Sequence, residues 1–519
     1  MIRARLALVA LLAASLTAGG LALERGLGVR PAAVGAVSPP DVLSGAWFCP
    51  HGGGEAWQVW LVAANPSDRP TELLLTARGA TAEVVSATLE PRSHRYIRMD
   101  ADGLSAGTVV EFFGGPAAVS MVAARPDGGG LAAEPCTPTA AARWYVPDGR
   151  SEVEGEAANV VVMNPTASDA VVDIVVTTER EALRPGPLQG LVLAPGAVKG
   201  FDLNRFSLGA RTVGARVTAA VGRIAVAGIG LSEGGIRADI GVANLSRRWF
   251  FPGTGDGARG ELVVAAAGEE VPFQVRAQGL EEQLPSLEQE SVDAGGIRTF
   301  TVATGEGGLV VEAEGSVGFV AARRSSFGGT GIEEPDEEVS AEESPAPTES
   351  PSPEPSPSPD GTPSPSPTPG ESRDQEEGSS RDRRDRPEPD ETVDRAGTTG
   401  SPVVSGGWVV PPATGPEGGP AALVLQNPGP RSVRARVLLV GATGPVEASG
   451  LEALEDIPVP AGTVAVIDLE PLVSEPVTAL VEATDGGLVA AQVSLAPEAY
   501  AVSLGSPASS VLTGFGPGI

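Results

Sequence analysis

The stretch Leu423-Val424-Leu425-Gln426-Asn427-Pro428, followed by Val433-Arg434-Ala435-Arg436-Val437, indicates the fold class of this chain. Its first part is a short apolar run that must end at the Asn-Pro dipeptide, because proline cannot donate a hydrogen bond to a β-ladder. In its second part apolar residues alternate with arginines, so the apolar side chains share one face, as in a half-buried strand. The stretch therefore predicts two consecutive β-strands separated by an Asn-Pro turn.

This pattern repeats along the chain at a spacing of about 100 residues. The apolar runs Leu61–Pro66 and Val160–Pro165 also end in Asn-Pro, whereas the third copy, Leu262–Ala267, continues into Gly268. A Trp-x-x-Pro motif precedes each run, at Trp47–Pro50, Trp144–Pro147, Trp249–Pro252 and Trp408–Pro411. We interpret the four tryptophans as packing residues rather than as ligand-stacking residues.

Short strands with frequent turn signals predict an all-β fold of tandem, antiparallel β-sandwich modules of the immunoglobulin-like type. Aromatic residues make up only 4% of the chain, so the cores are expected to consist of valine, alanine and leucine. The predicted modules are residues 44–142, 143–247, 248–331 and 403–519.

Residues 332–402 are predicted to form an acidic, Ser/Pro-rich disordered linker. Its Ser-Pro and Thr-Pro repeats favour extended polyproline-like conformations, and a fully extended linker could carry module 4 well away from the other three. The sequence leaves open whether module 4 is independent or completes a strand of module 3 across the linker. It also leaves open whether the linker is glycosylated.

The N-terminus predicts the compartment. Arg3 and Arg5 precede an uncharged, apolar run from Leu6 to Leu23, and this order sends the rest of the chain across the membrane. Residues 1–28 are therefore predicted to be a cleaved signal peptide or a retained membrane anchor, with a buried core helix as a third alternative. Cys49 and Cys136 bracket module 1 and are predicted to form a disulfide, as expected outside the cytoplasm.

The charge of the chain argues against nucleic-acid binding. The net charge is -30, and no basic patch with interleaved aromatic residues is present. No catalytic, cofactor-binding or metal-binding residue is predicted, and no cofactor is expected.

Several motifs that resemble enzyme signatures lack the context that the chemistry needs. The segment Gly103–Gly107 matches a nucleophile elbow around Ser105, but both histidines, His51 and His94, precede it and no helix is predicted after it. The segment Gly255–Gly260 matches Gly-x-Gly-x-x-Gly without a βαβ unit around it, so a glycine turn is favoured. His51 and His94 are expected to be solvated turn residues.

The Trp-Phe-Cys-Pro opening, the Asn-Pro strands, the partner cysteine and the basic-apolar N-terminus together resemble an uncharacterised family of secreted or membrane-anchored actinobacterial proteins. The resemblance implies a role in the cell envelope and no particular mechanism. The segment Val424–Val440 is also similar to bacterial immunoglobulin-like adhesion modules, at the level of the fold alone.

These patterns predict a non-enzymatic, extracytoplasmic scaffold or binding protein of the cell envelope. Its expected partner is an envelope protein or a glycan, with the membrane contacted through the N-terminal segment. A surface adhesion or matrix-binding protein is the first alternative. A carbohydrate-active hydrolase is the alternative from a different class, since chance pairs of acids such as Glu281-Glu282 would suit it.

Overall fold

The computed structural model describes residues 44–79, 83–101, 103–126, 129–152, 155–232, 235–253, 259–279, 290–302, 307–327, 394–419, 421–447, 450–496 and 499–511. The chain divides into two units, residues 1–328 with 392–519 and residues 329–391. The second unit and the predicted N-terminal segment lie outside the described residues. Within the described residues, no helix is long and apolar enough to cross a membrane.

The described residues form antiparallel strands almost throughout, which confirms the all-β prediction. Within the described residues the strands belong to eight sheets, two in each of four repeated modules, and the strand number of each module refers to these residues alone. In each module we call the sheet that contains the Trp-x-x-Pro strand the outer sheet, and the other the inner sheet. The few helical elements are short: 3-10 turns at Gly186–Leu188, Asn204–Phe206 and Leu451–Leu454, and an α-helix at Ala508–Val511.

Module 1 contains eight strands: β1 (Ser44–Pro50), β2 (Gln58–Asn65), β3 (Thr71–Arg78), β4 (Val84–Leu89), β5 (Ser93–Met99), β6 (Gly107–Phe113), β7 (Ala118–Ala124) and β8 (Leu131–Pro135). Its outer sheet has the order β1-β6-β3-β4 and its inner sheet the order β5-β2-β7-β8.

Module 2 contains nine strands: β9 (Arg143–Val146), β10 (Ala157–Met163), β11 (Ala170–Thr178), β12 (Ala182–Leu183), β13 (Leu191–Leu193), β14 (Val198–Asp202), β15 (Val213–Val221), β16 (Ala225–Ser232) and β17 (Gly235–Ile240). The outer sheet runs β12-β11-β15-β9, with β13 also paired to β11, and the inner sheet runs β14-β10-β16-β17. Equivalent strands thus have the same order in the inner sheets of modules 1 and 2.

Module 3 contains eight strands: β18 (Arg248–Phe251), β19 (Arg259–Ala266), β20 (Val271–Gln278), β21 (Glu290–Val292), β22 (Ile297–Val302), β23 (Gly308–Ala313), β24 (Phe319–Phe327) and β25 (Asp394–Thr399). The outer sheet runs β18-β23-β20-β21 and the inner sheet runs β22-β19-β24-β25.

The last strand of module 3 corrects the predicted boundaries. The linker was expected to continue to residue 402, but β25 pairs with β24, and Phe327 lies opposite Asp394 in the register. Residues 328–393 are therefore inserted between two paired strands of one sheet, and module 3 extends beyond residue 331. The sequence missed β25 because Asp394-Arg395-Ala396-Gly397-Thr398-Thr399 lacks the apolar residues that mark a strand.

Module 4 contains ten strands: β26 (Gly407–Val410), β27 (Ala421–Asn427), β28 (Val433–Gly441), β29 (Gly444–Pro445), β30 (Ile457–Val459), β31 (Thr463–Asp468), β32 (Thr478–Thr484), β33 (Val489–Ala496), β34 (Ala499–Leu504) and β35 (Ser506–Pro507). The outer sheet runs β29-β28-β32-β26-β35, with β30 also paired to β28, and the inner sheet runs β31-β27-β33-β34.

The four modules pack against one another through the last strands of their inner sheets. β8 contacts β17, β17 contacts β25, β25 contacts β34, and β34 contacts β8. We call this closed set of contacts the inner-strand cycle. These strands are sheet edges, yet their described residues are mostly buried, because neighbouring modules cover them. Module 4 therefore packs against modules 1 and 3 instead of lying away from them, as an extended linker would have allowed.

Each tryptophan of the repeat fixes its outer sheet to its inner sheet. The four side chains are at most 1% exposed. Each indole nitrogen donates to a backbone carbonyl just before the third strand of the inner sheet or at its start. The bonds are Trp47 to Ala117 (2.8 Å), Trp144 to Ile224 (2.6 Å), Trp249 to Phe319 (3.0 Å) and Trp408 to Leu488 (2.8 Å). The interpretation of these residues as packing residues is confirmed.

Candidate functional site

A cleft of about 760 Å³ lies between modules 2 and 3. This is within the range of roughly 300–1,000 Å³ that is usual for small-molecule sites. Module 2 contributes the ends of β11 and β12 and the loop before β15, and module 3 contributes the β21–β22 turn with parts of β19, β22 and β24. We call it the module 2–3 cleft.

The described lining of this cleft is polar and charged. It includes four threonines, at positions 178, 212, 299 and 301, but no aromatic residue. Its charged residues are Arg150, Arg180, Arg211, Arg298, Arg324, Glu152, Glu179, Glu181, Glu261 and Asp293. The cleft therefore suits a polar ligand rather than an apolar one.

Hydrogen bonds shape the wall of the cleft that module 2 provides. Glu179 accepts hydrogen bonds from the backbone nitrogens of Arg211 (3.4 Å) and Thr212 (3.3 Å). Arg211 in turn pairs with Glu152, with 3.0 Å between Nε and Oε1. Thr212 shares a 2.5 Å hydroxyl–hydroxyl hydrogen bond with Thr299 of module 3. The Thr212–Thr299 contact joins the two walls of the cleft directly.

Arg324 of β24 forms the floor of the cleft. Its side chain is only 6% exposed, and its Nη1 lies 3.3 Å from Oε2 of Glu261. The guanidinium also pairs with Asp148 and donates to the carbonyl of Gly149 (2.9 Å). Arg324 thereby links the cleft to buried charges behind it.

Those charges form a buried ionic network, which we define as Glu134, Asp148, Arg237, Asp239 and Arg324. Asp148 lies 2.8 Å from Nε of Arg237, and Arg237 lies 3.7 Å from Asp239. Asp239 accepts a hydrogen bond from the Thr399 hydroxyl at 3.4 Å, and Glu134 is hydrogen-bonded to Thr398. Modules 1, 2 and 3 all contribute to the network.

The network perturbs the pKa values of its carboxyl groups. Burial and the nearby Asp148 raise the pKa of Asp239 to about 7. Burial and the nearby Asp239 raise the pKa of Glu134 well above its usual range. Burial would also raise the pKa of Asp148, but Arg237 and Arg324 hold it below the ordinary value. The carboxyl groups of Glu134 and Asp239 therefore bind a proton more readily than that of Asp148.

A second cleft, of about 640 Å³, lies between modules 3 and 4. Its described lining includes Arg248, Arg276, Arg431 and Asp485, and all four are exposed. It has no charged residue as deeply buried as Arg324. The module 2–3 cleft is therefore the better candidate site.

The two histidines are buried, so their prediction as solvated residues was wrong. His51 is 2% exposed and His94 is 3% exposed. Nδ1 of His51 donates to the carbonyl of Gly52 (2.5 Å), and its Nε2 accepts from the Thr108 hydroxyl (3.0 Å). Nδ1 of His94 donates to the carbonyl of Val440 in module 4 (3.1 Å). Burial lowers the pKa of each histidine to about 4.

The other motifs lie apart from the module 2–3 cleft or outside the described residues. Ser105 is followed by β6 rather than by a helix, and its hydroxyl accepts a hydrogen bond from the backbone of Gly200 at 3.2 Å. Residues 255–258 of the glycine motif and the pair Glu281-Glu282 lie outside the described residues.

Cys49 and Cys136 form the predicted disulfide. Their Cα atoms are 4.9 Å apart across a sequence separation of 87 residues. The bond ties β1 of the outer sheet to the chain that follows β8 of the inner sheet. A disulfide indicates a non-cytoplasmic environment.

The sequence did not reveal the buried ionic network. In Ile236-Arg237-Ala238-Asp239-Ile240 charged and apolar residues alternate, which is also the pattern of a half-exposed strand. Only the packing of β8 and β25 against β17 shows that both faces are covered. A possible signal was the charged pair Arg323-Arg324 directly after the apolar residues of β24.

The described residues place the chain among proteins that are built almost entirely of antiparallel β-sheets. Residues 111–350 match the family described as "Family of unknown function (DUF5719)". The match begins in β6 of module 1, includes module 2 and runs past β24 of module 3. It agrees with the predicted resemblance to an uncharacterised family. No curated protein matches the chain.

Proposed function

We propose that this chain is a non-enzymatic binding scaffold of the cell envelope that works outside the cytoplasm. The inner-strand cycle carries the proposal, because four modules packed on one another hold the module 2–3 cleft in a fixed shape. A preformed site loses little conformational entropy when it binds a partner. The partner is an envelope protein or a glycan.

The compartment has separate support. The disulfide between Cys49 and Cys136 favours an oxidising environment. The basic-apolar order of residues 1–28 favours export or membrane anchoring, in line with the resemblance to secreted actinobacterial proteins. We also propose that the modules are immunoglobulin-like sandwiches, which two antiparallel sheets per module support.

The proposal is tested by photo-crosslinking in intact cells. A photoreactive amino acid replaces Arg180 at the cleft, whose side chain is 71% exposed, or Arg98 in module 1, whose side chain is 62% exposed. Mass spectrometry of the products is expected to find the same envelope protein or glycoconjugate repeatedly at position 180 and not at position 98.

Two results would contradict the proposal. One is a set of cytoplasmic partners at position 180, which would place the chain in the wrong compartment. The other is an identical pattern of products at both positions, which would show that the cleft has no role in partner binding.

A further inference from the structure

The charges of the module 2–3 cleft are balanced among its described lining residues. Five arginines face five carboxylates, so the formal charges cancel. A site for a polyanion or a polycation carries an excess of the opposite charge, because this excess attracts and holds the ligand. The cleft therefore lacks the electrostatic signature of a site for a highly charged partner.

The arginines of the cleft already have carboxylate partners. Arg211 pairs with Glu152 at 3.0 Å and Arg324 with Glu261 at 3.3 Å. Arg180 lies 3.8 Å from Glu179. A charged ligand would have to displace one member of each pair and would lose the energy of the existing contact. An uncharged ligand can bind without separating them.

Hydroxyl groups fit such pairs well. Each hydroxyl has one donor and two acceptor sites, so it can donate to a carboxylate while it accepts from the neighbouring guanidinium. A ligand with hydroxyls on adjacent carbons can repeat this arrangement along the Arg211–Glu152 and Arg180–Glu179 pairs. Hydrogen bonds to charged groups are the stronger kind.

We infer that the module 2–3 cleft binds an uncharged, polyhydroxylated glycan chain. This inference rests on the proposed function and specifies the ligand of the same site. Thr301 adds a hydroxyl group to the lining, and Arg150 adds a guanidinium that is 18% exposed.

The test measures binding of defined sugars to the purified full chain by isothermal titration calorimetry. The probes are maltohexaose, cellohexaose, mannohexaose and galactohexaose, with glucose as the free sugar and polygalacturonate and a Lys/Glu peptide as charged controls. At least one neutral hexasaccharide is expected to bind, with less than a twofold change in affinity between 50 and 500 mM NaCl. Weaker binding of glucose would show that an extended chain is recognised.

A double variant separates hydrogen bonding from overall charge. Arg211→Ala with Glu152→Ala leaves the cleft balanced but removes one donor–acceptor pair, and it is expected to weaken glycan binding at least tenfold. The matched control is Arg434→Ala with Asp456→Ala, which removes an exposed ion pair of module 4 and is expected to leave binding unchanged. Both double variants should fold, because exposed ion pairs contribute little to stability.

The inference is overturned if none of the neutral hexasaccharides binds, or if only the charged controls bind with affinity that falls as salt rises. Equal loss of binding in both double variants would also overturn it. None of these results touches the crosslinking test at position 180, which can still identify an envelope protein. Release of new reducing ends from a bound hexasaccharide would instead contradict the non-enzymatic part of the proposed function.

Discussion

At the scale of single residues, the asparagine of each Asn-Pro dipeptide does more than begin a turn. Asn164 is fully buried, and its amide donates to the carbonyls of Ser168 (2.7 Å), Leu193 (3.0 Å) and Ala194 (3.1 Å). The same three bonds occur at Asn65 and Asn427. In module 3, Ala266 takes the place of the asparagine. Its backbone nitrogen donates to the carbonyl of Gly296, just as the backbone nitrogen of Asn164 donates to the carbonyl of Ala197.

We predict that Asn164→Ala lowers the free energy of unfolding by about 3 kcal/mol, since it leaves buried carbonyls without a donor. Urea denaturation of the purified chain measures the change. The exposed Asn244 provides the control, and Asn244→Ala is expected to change stability by no more than about 0.5 kcal/mol. A loss of similar size at both positions would contradict a special role for the buried asparagine.

A second prediction at this scale concerns pH. Burial and Asp148 raise the pKa of Asp239 from 3.8 to about 7, so the folded state binds this proton more tightly than the unfolded state. The resulting stability is complete below about pH 4 and is lost as the pH rises through 7. Compared with Asp239→Asn, the unchanged chain is therefore expected to lose thermal stability between pH 5 and pH 8.

Comparing the unchanged chain with Asp239→Asn separates the effect of Asp239 on stability from that of the two histidines. The lowered pKa values of His51 and His94 give stability that is present above pH 6.5 and lost as the pH falls through about 4. That contribution is common to both chains and cancels in the difference. Asp100→Asn, at a side chain that is 85% exposed, is the control and should follow the unchanged chain at every pH.

At the scale of strands, the sequence distinguishes the two sheets of a module. Continuous apolar runs such as β10 and β27 lie in inner sheets and are buried along almost their whole length, because the outer sheet covers one face and neighbouring modules cover the other. The alternating residues of β28 lie in an outer sheet, with Arg434 and Arg436 facing solvent. Strand positions were therefore predictable from local pattern.

What local pattern could not predict is pairing between distant segments. β25 is polar and short, and its stability comes from β24, β17 and β34 rather than from its own residues. The close fit requires a glycine, because a Cβ atom at Gly397 would lie 2.0 Å from Cδ of Arg237. The charges of Glu134 and Asp239 are buried for the same reason, since strands from different modules cover them.

We predict that a single protease cut between residues 340 and 390 leaves both fragments bound to each other. β25 is held by β-ladder hydrogen bonds and by Thr398 and Thr399 contacts to the buried ionic network, none of which depends on the inserted segment. The fragments should elute together from a gel-filtration column and separate only in denaturant.

A variant of Gly397 tests whether the docking of β25 is what holds the two fragments together. Gly397→Val is expected to weaken the docking of β25 and to reduce the yield of the two-fragment complex, because Asp148 holds Arg237 in place. The control is Gly415→Ala, where an added Cβ atom meets nothing within 4 Å. Complete separation of the unsubstituted fragments in native buffer would show that the inserted segment itself holds β25 in place.

At the scale of the four modules, the inner-strand cycle joins the repeated modules through a closed set of interfaces. Module 1 and module 4 are distant in sequence, yet Val62, Val122, Leu131 and Ala133 share one apolar cluster with Ala413 and Ala501. The Tyr96 hydroxyl donates to the carbonyl of Thr414 at 2.8 Å. The repeat predicted four modules, but only these long-range contacts show that they do not act as independent domains.

Because the cycle of contacts is closed, we predict that module 4 protects module 1 from self-association. A chain that ends at Pro402 loses the partners of the Val62 cluster and exposes the edge of β8, and apolar patches beside an open strand edge promote self-association. Light scattering after gel filtration is expected to show oligomers of this truncated chain, while a chain that lacks residues 341–390 stays like the full chain. A truncated chain that remains monomeric and unfolds at the same temperature would mean that the modules are stable without the cycle, and the fixed cleft of the proposed function would lose its structural basis.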